Sequence, residues 1–259
     1  MANTLFVSHG APSLPLTPSP ARDFLSALGR QLERPRAILV ISAHFRAQVP
    51  VLGAHPKPET VHDFYGFPEA LYELRYPAPG HPRLAAEVAR HLGREGFAAE
   101  CNTQRGLDHG AWVPLMLMFP QADVPVVQLA LVQGQGADYH LRLGTALRAL
   151  VADGVMVLGS GAMTHNLREL DWAGNGPKGY VPPWVSGFTD WFAARIEAGQ
   201  VEDLVDYRAR APHAARNHPT EEHLMPLFVA LGASAAGRGQ RLHASVQMGA
   251  LAMDAYAFD

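Results

Sequence analysis

The sequence predicts an α/β fold: a central, mostly parallel or mixed β-sheet flanked by helices, with an active site at the carboxyl ends of its strands. Three stretches carry that expectation. Residues 36–45 read RAILVISAHF, a short apolar run rich in β-branched residues that leads into Ser42-Ala43-His44. Residues 4–10, TLFVSHG, repeat the design with His9, and residues 155–166, VMVLGSGAMTHN, repeat it with a glycine turn and His165. A run without polar alternation is how a strand buried on both faces reads. Ligand sites of open α/β sheets lie outside the carboxyl ends of the strands. Three histidines sent to that edge point to a metal or acid/base site.

The length of 259 residues suits one large α/β domain, and no repeat or clear linker divides it, so residues 1–259 are expected to form one catalytic domain. An apolar content of 48% supports a sizeable core. The net charge of −3 points away from nucleic acid as a partner. A single cysteine, Cys101, excludes an internal disulfide and a cysteine-based zinc site. Thirteen histidines stand out, because imidazole is the commonest protein metal ligand. The N-terminus lacks the basic and long apolar regions of a secretory signal. The longest apolar runs, such as 124–132, are too short to span a bilayer. The expectation is a soluble cytoplasmic protein with no membrane partner.

Taken in order, the first strand ends at His9, and residues 11–18 form a proline-rich loop. Ser19 is placed to cap a helix with Pro20 at its first position. That helix runs to about Leu32, with Phe24, Leu25, Leu28 and Leu32 on one face. The second strand delivers His44. Residues 49–54 form a further strand. Residues 55–68, HPKPETVHDFYGFP, are too aromatic for a mere linker. Phe64, Tyr65 and Phe67 either line a site for an aromatic substrate or cap the core, and His62 and Asp63 offer polar contacts beside them. A short helix over 68–75 follows. Pro82 opens another to about Arg94, with Gly96 as its C′ residue. His81 and His91 read as a loop residue and a solvated helix residue. Residues 97–101 read as a strand, with Cys101 in the core. His109 lies in the loop before an apolar helix over 111–119, either facing a ligand or capping the loop.

Residues 124–132 are the most strand-like run of the chain. A helix over 139–153 follows, with His140 on its solvent side and Gly154 after its end. Residues 172–183 form a Gly/Pro-rich excursion. A helix over 184–196 carries Trp184, Phe188, Trp191 and Phe192. Short helices over 201–214 come next. In NHPTEEHLMPLFVALG, Thr220 is placed as an N-cap, Glu221 and Glu222 suit the first turn, and His223 borders the buried face. Pro226 is expected to kink that helix. Residues 242–248 and 251–258 form terminal strands.

Neutral imidazoles suit zinc, ferrous iron, copper or nickel and leave a divalent site positively charged. An open position on zinc supports hydrolysis, and two or more on iron support joint binding of substrate and dioxygen. Spacing alone leaves three readings: a dioxygenase, a zinc-dependent hydrolase, and a non-catalytic metal-binding module.

Six short motifs occur in a fixed order: Ser8-His9-Gly10, Ser42-Ala43-His44-Phe45, Asp63-Phe64-Tyr65-Gly66-Phe67-Pro68, Leu107-Asp108-His109-Gly110, Thr164-His165-Asn166-Leu167-Arg168 and His218-Pro219-Thr220-Glu221-Glu222-His223. In these the chain closely resembles the class III extradiol ring-cleavage dioxygenases, in their DODA-type (DOPA 4,5-dioxygenase-like) branch, over nearly its whole length. The resemblance implies an Fe(II) site, in which many members are recorded with Zn(II). It implies His9, His44 and His223 as metal ligands, with His223 where the wider superfamily has a glutamate. It makes His165 the active-site base and, in this branch, a further candidate ligand. His109 becomes the second catalytic histidine, the candidate proton donor. The implied partners are a small aromatic diol, DOPA-like or related, and O2, giving a muconic semialdehyde.

Overall fold

Runs of apolar residues without polar alternation have to be buried on both faces, and here they form the middle of one sheet. The structure is a computed structural model that describes residues 3–173 and 179–259. Its strands are β1 (Thr4–Ser8), β2 (Ala37–Ala47), β3 (Val51–Gly53), β4 (Glu100–Asn102), β5 (Val126–Val132), β6 (Val155–Gly161), β7 (Gly239–His243), β8 (Val246–Gln247), β9 (Leu251–Ala252) and β10 (Ala255–Phe258). Among the described residues, eight of them form one sheet in the order β4-β3-β5-β2-β6-β1-β10-β7. The inner strands β5, β2, β6 and β1 run parallel, while β3 meets β5, and β10 meets β1 and β7, in antiparallel pairs. Every residue of β1, β5 and β6 is buried. The mixed sheet flanked by helices matches the expectation. Because β2, β6 and β1 are adjacent and parallel, their carboxyl ends lie side by side.

The helices are α1 (Pro20–Gln31), α2 (Glu69–Tyr72), α3 (Pro82–Arg94), α4 (His109–Met118), α5 (Ala137–Ala146), α6 (Arg148–Ala152), α7 (Pro183–Glu197), α8 (Val201–Val205), α9 (Tyr207–Arg210), α10 (Ala214–Asn217) and α11 (Met225–Ala233). Ser19 caps α1 as expected, accepting from the Arg22 amide, with Pro20 following it. Helix α11 is buried along its whole length. It and the residues before it seat directly on β6. A Cβ at Gly159 would lie 2.3 Å from the Pro226 carbonyl oxygen, and one at Gly161 would lie 2.0 Å from that of His223. Only glycine permits that approach. None of the helices is long and apolar enough to cross a membrane, among the described residues.

Several local expectations are corrected. Strand β2 does not stop at His44 but runs on to Ala47. Its register against β5 shifts between Ser42 and Arg46, so His44 sits in a bulge, a device that re-aims side chains. His109 is not in the loop before the apolar helix. It is the first residue of α4, because Asp108 caps that helix by accepting from the Ala111 amide. Cys101 is exposed, not core, because β4 is the outermost strand. His140 is buried, not solvated. Its Nε2 accepts from the Val132 amide and its Nδ1 contacts the Gly136 carbonyl, so the ring satisfies backbone groups at the end of β5. His91 Nε2 meets the Ala146 carbonyl at 2.6 Å. The helix expected over 139–153 is two, α5 and α6, parted at Leu147. Helix α11 begins five residues after Thr220, whose hydroxyl donates to Glu222 Oε1 and caps nothing. Pro226 lies in its first turn, where a missing N–H disrupts no helical bond, so no kink follows. Of the Gly/Pro-rich excursion, residues 174–178 lie outside the described residues.

Candidate metal centre and substrate pocket

The carboxyl ends of β1 and β2 and the turn that crosses β6 place three histidines around one point. His9 follows β1 directly, and His44 leans out of the β2 bulge. His223 arrives in the turn before α11, carried over β6 by Gly161. His9 Nε2 lies 3.2 Å from His44 Nε2, which lies 3.3 Å from His223 Nε2. The opposite ring nitrogens face the protein. His9 Nδ1 is 3.1 Å from Ser160 Oγ, and that hydroxyl gives its own hydrogen to the Gly110 carbonyl, so it accepts from His9 Nδ1–H. His223 Nδ1 donates to Glu222 Oε1 at 3.0 Å. His44 Nδ1 faces Asp63 Oδ2 at 3.7 Å. With the protons on Nδ1, three bare Nε2 lone pairs point at one another.

Such lone pairs repel unless a cation lies between them. Zinc–nitrogen bonds of about 2.0–2.1 Å place neighbouring ligand nitrogens roughly 2.9–3.4 Å apart, and the observed spacings fall inside that range. The donor set therefore fits a divalent metal. Burial first, then the neighbouring imidazoles, push His9 and His223 well below the usual histidine pKa. Burial and then His109 lower His44 to about 4. All three are thus neutral at neutral pH, as ligation requires.

His165 stacks flat on His223, with ring centroids 3.4 Å apart and planes within 9°. Together with Glu222 and His223 it forms a second group of converging ligand atoms, which shares His223 with the trio of His9, His44 and His223. Burial lowers His165 to about 4, against the pull of Glu222, so its ring is neutral and able to accept a proton. His109 packs on His44 at 4.0 Å between centroids. Asp63 Oδ1 accepts from both its backbone amide and its Nδ1, each at 2.9 Å, which leaves His109 Nε2 for the pocket. Burial opposes the Asp63 carboxylate, yet the hydrogen bonds and charge of His109 outweigh it and hold its pKa at about 2. Asp108, wholly buried, accepts from Ser42 Oγ, Arg105 Nη2 and Gln128 Nε2, and so locks the start of α4 to β2 and β5.

All five sequence-selected histidines line one cavity of about 580 Å³. Phe64, Tyr65 and Phe67 line it as well, and Phe64 also packs against the core. His62 instead contacts the Leu74 carbonyl and does not line the cavity. Sequence reasoning missed the partner Ser160, the pairing of Glu222 with His223, and the walls Leu170, Met248 and Leu251. A serine between two glycines at a strand end, and an acid directly before a histidine, were the available signals for the partners. The walls had none.

Comparison with known proteins agrees with this geometry. Residues 5–256 match the family described as catalytic LigB subunit of aromatic ring-opening dioxygenase. A 4,5-DOPA dioxygenase extradiol of Beta vulgaris is 38% identical over 98% of this chain and 96% of its own length. The protein of the same name from Escherichia coli (strain K12) is 38% identical over 88% of this chain and 84% of its own. The crystal structure of an uncharacterized Escherichia coli K12 protein superposes with a TM-score of 0.80, at 31% identity, covering 98% of both chains.

Proposed function

Since the chain belongs to the family of the catalytic LigB subunit of aromatic ring-opening dioxygenases, in the DODA-type branch of the extradiol enzymes, we propose that it opens the ring of a catechol with O2 to give a muconic semialdehyde. The convergence of the three bare Nε2 atoms is the observation that carries this reading. His9, His44 and His223 hold the metal, Fe(II) for activity, with Zn(II) able to occupy the same donors. A ferrous ion there would supply Lewis acidity toward the diol oxygens and a one-electron couple between the ring and dioxygen, whereas zinc would supply only the first.

The chain's own residues do the rest. Three neutral ligands leave the centre positively charged, which favours the deprotonated diol. A ring nitrogen of His165, neutral in its buried site, takes the hydroxyl proton. Asp63 fixes the orientation of His109, whose Nε2 faces the substrate and returns a proton as the ring opens. The pocket walls exclude water and hold the two reactants together. In this reading residues 1–259 act as one catalytic domain. His165→Ala should lower turnover by about 100-fold or more and leave metal content, measured by elemental analysis, near that of the parent. Loss of the metal instead would make His165 chiefly a ligand.

A further inference from the structure

Away from the imidazoles the cavity is walled by Pro12, Phe64, Phe67, Leu170, Met248 and Leu251. Its mouth carries Tyr65, Leu167 and Trp172, exposed by 92%, 49% and 64%. These are three of the five large hydrophobic side chains left exposed among the described residues, gathered at one opening. Trp172 is not loose, because its Nε1 donates to the Leu167 carbonyl at 3.1 Å and so holds the indole face at the rim. Apolar surface gathered this way marks a binding surface rather than chance exposure.

The charges of the cavity are as one-sided as its walls. No lysine or arginine lines it among the described residues, and its one carboxylate is Asp63. Arg105 does not line it and is held by Asp108 and over the Phe45 ring. A carboxylate on the substrate tail would lose its water here, find no cationic side chain among the described residues and approach Asp63. An uncharged aromatic or apolar tail would cover Phe64, Phe67, Leu167 and Trp172 instead.

We infer that the preferred substrate is a catechol bearing an uncharged aromatic or apolar substituent, and that carboxylate-bearing diols are discriminated against. The inference rests on the ring-opening reading of the same site and narrows it. Calorimetric titration of the metal-loaded protein without oxygen tests it directly, with caffeamide, caffeic acid and 4-phenylcatechol as probes. Caffeamide keeps the ring, the linker and nearly the shape of caffeic acid and removes only the charge. It should bind at least about tenfold more tightly than the acid, and 4-phenylcatechol should bind at least as well as caffeamide. Trp172→Ala should weaken 4-phenylcatechol several-fold more than it weakens unsubstituted catechol. Equal or tighter binding of the acid, or an equal loss for both diols in the Trp172 variant, would overturn the inference. Admitting oxygen to the same samples separates the two claims. The expected affinity order without ring opening would uphold the pocket assignment and remove the catalytic one.

Discussion

At the scale of single residues, the site is built from side chains that hold one another's protons. Asp63 is the pivot, because one of its oxygens takes two hydrogen bonds from His109 while the other faces His44. Its pKa of about 2 keeps it ionised at every working pH. Asp63→Asn retains the shape but offers the ring an amide in place of an acceptor pair. It should lower kcat by roughly 100-fold while the protein still binds metal, as steady-state kinetics and metal analysis would show. A second buried acid affects stability instead. Burial raises Asp254 to about 6 despite Arg241 at 3.4 Å. Its folded-state pKa lies above the unfolded value, so its contribution is full below about pH 4 and disappears as pH rises through 6. Between pH 4.5 and 7.5 the parent should lose about 2 kcal/mol relative to Asp254→Asn. Urea unfolding of both proteins at the two pH values measures that difference, and no change in it would contradict the burial argument. The five histidines that line the cavity were legible in the sequence because strand ends and motifs mark them. Ser160 and the pairing of Glu222 with His223 were not, because a hydrogen bond across 151 residues leaves no local pattern, and an acid beside a histidine is common.

At the scale of elements, the site depends on backbone fit. Strands β2, β6 and β1 bring their ends together because they are parallel neighbours. The His223 turn reaches them only because β6 carries glycine where the turn crosses it. Gly161→Ala would place a methyl group 2.0 Å from the His223 carbonyl oxygen, a backbone atom that no rotamer change can move. It should cost about 1–3 kcal/mol of stability and weaken metal binding, read from denaturant midpoints and chelator competition. Unchanged metal affinity would show that His223 is positioned by other contacts. The apolar runs made β1, β2, β5 and β6 readable, and Ser19-Pro20 made the start of α1 readable. The β2 bulge was not, since an out-of-register pairing depends on the partner strand. The start of α11 was misread because Thr220 and the acids after it look like a cap, while Thr220 in fact bonds to Glu222. His140 and Cys101 were misplaced for a related reason. Burial at a strand's end or a sheet's edge is decided by the order of strands, which periodicity does not reveal.

At the scale of the whole molecule, the fold is a means of gathering distant residues. His9 and His223 come from opposite ends of the chain, and the cavity is closed by Met248 and Leu251 near its carboxyl terminus. The same architecture recurs in the Escherichia coli K12 protein of solved structure, and the sequence match to the Beta vulgaris dioxygenase runs over nearly the full length of both chains. The lining of the cavity is largely apolar around a cluster of imidazoles, with Asp63 as its one carboxylate among the described residues. The most direct test is oxygen consumption by protein stripped of metal, reloaded with Fe(II) without oxygen, and given a panel of catechols. Stoichiometric uptake, with both atoms of isotope-labelled dioxygen in a yellow ring-opened product, is the expected result. No uptake with any catechol, by protein shown to hold iron at the His9, His44 and His223 donors, would contradict it.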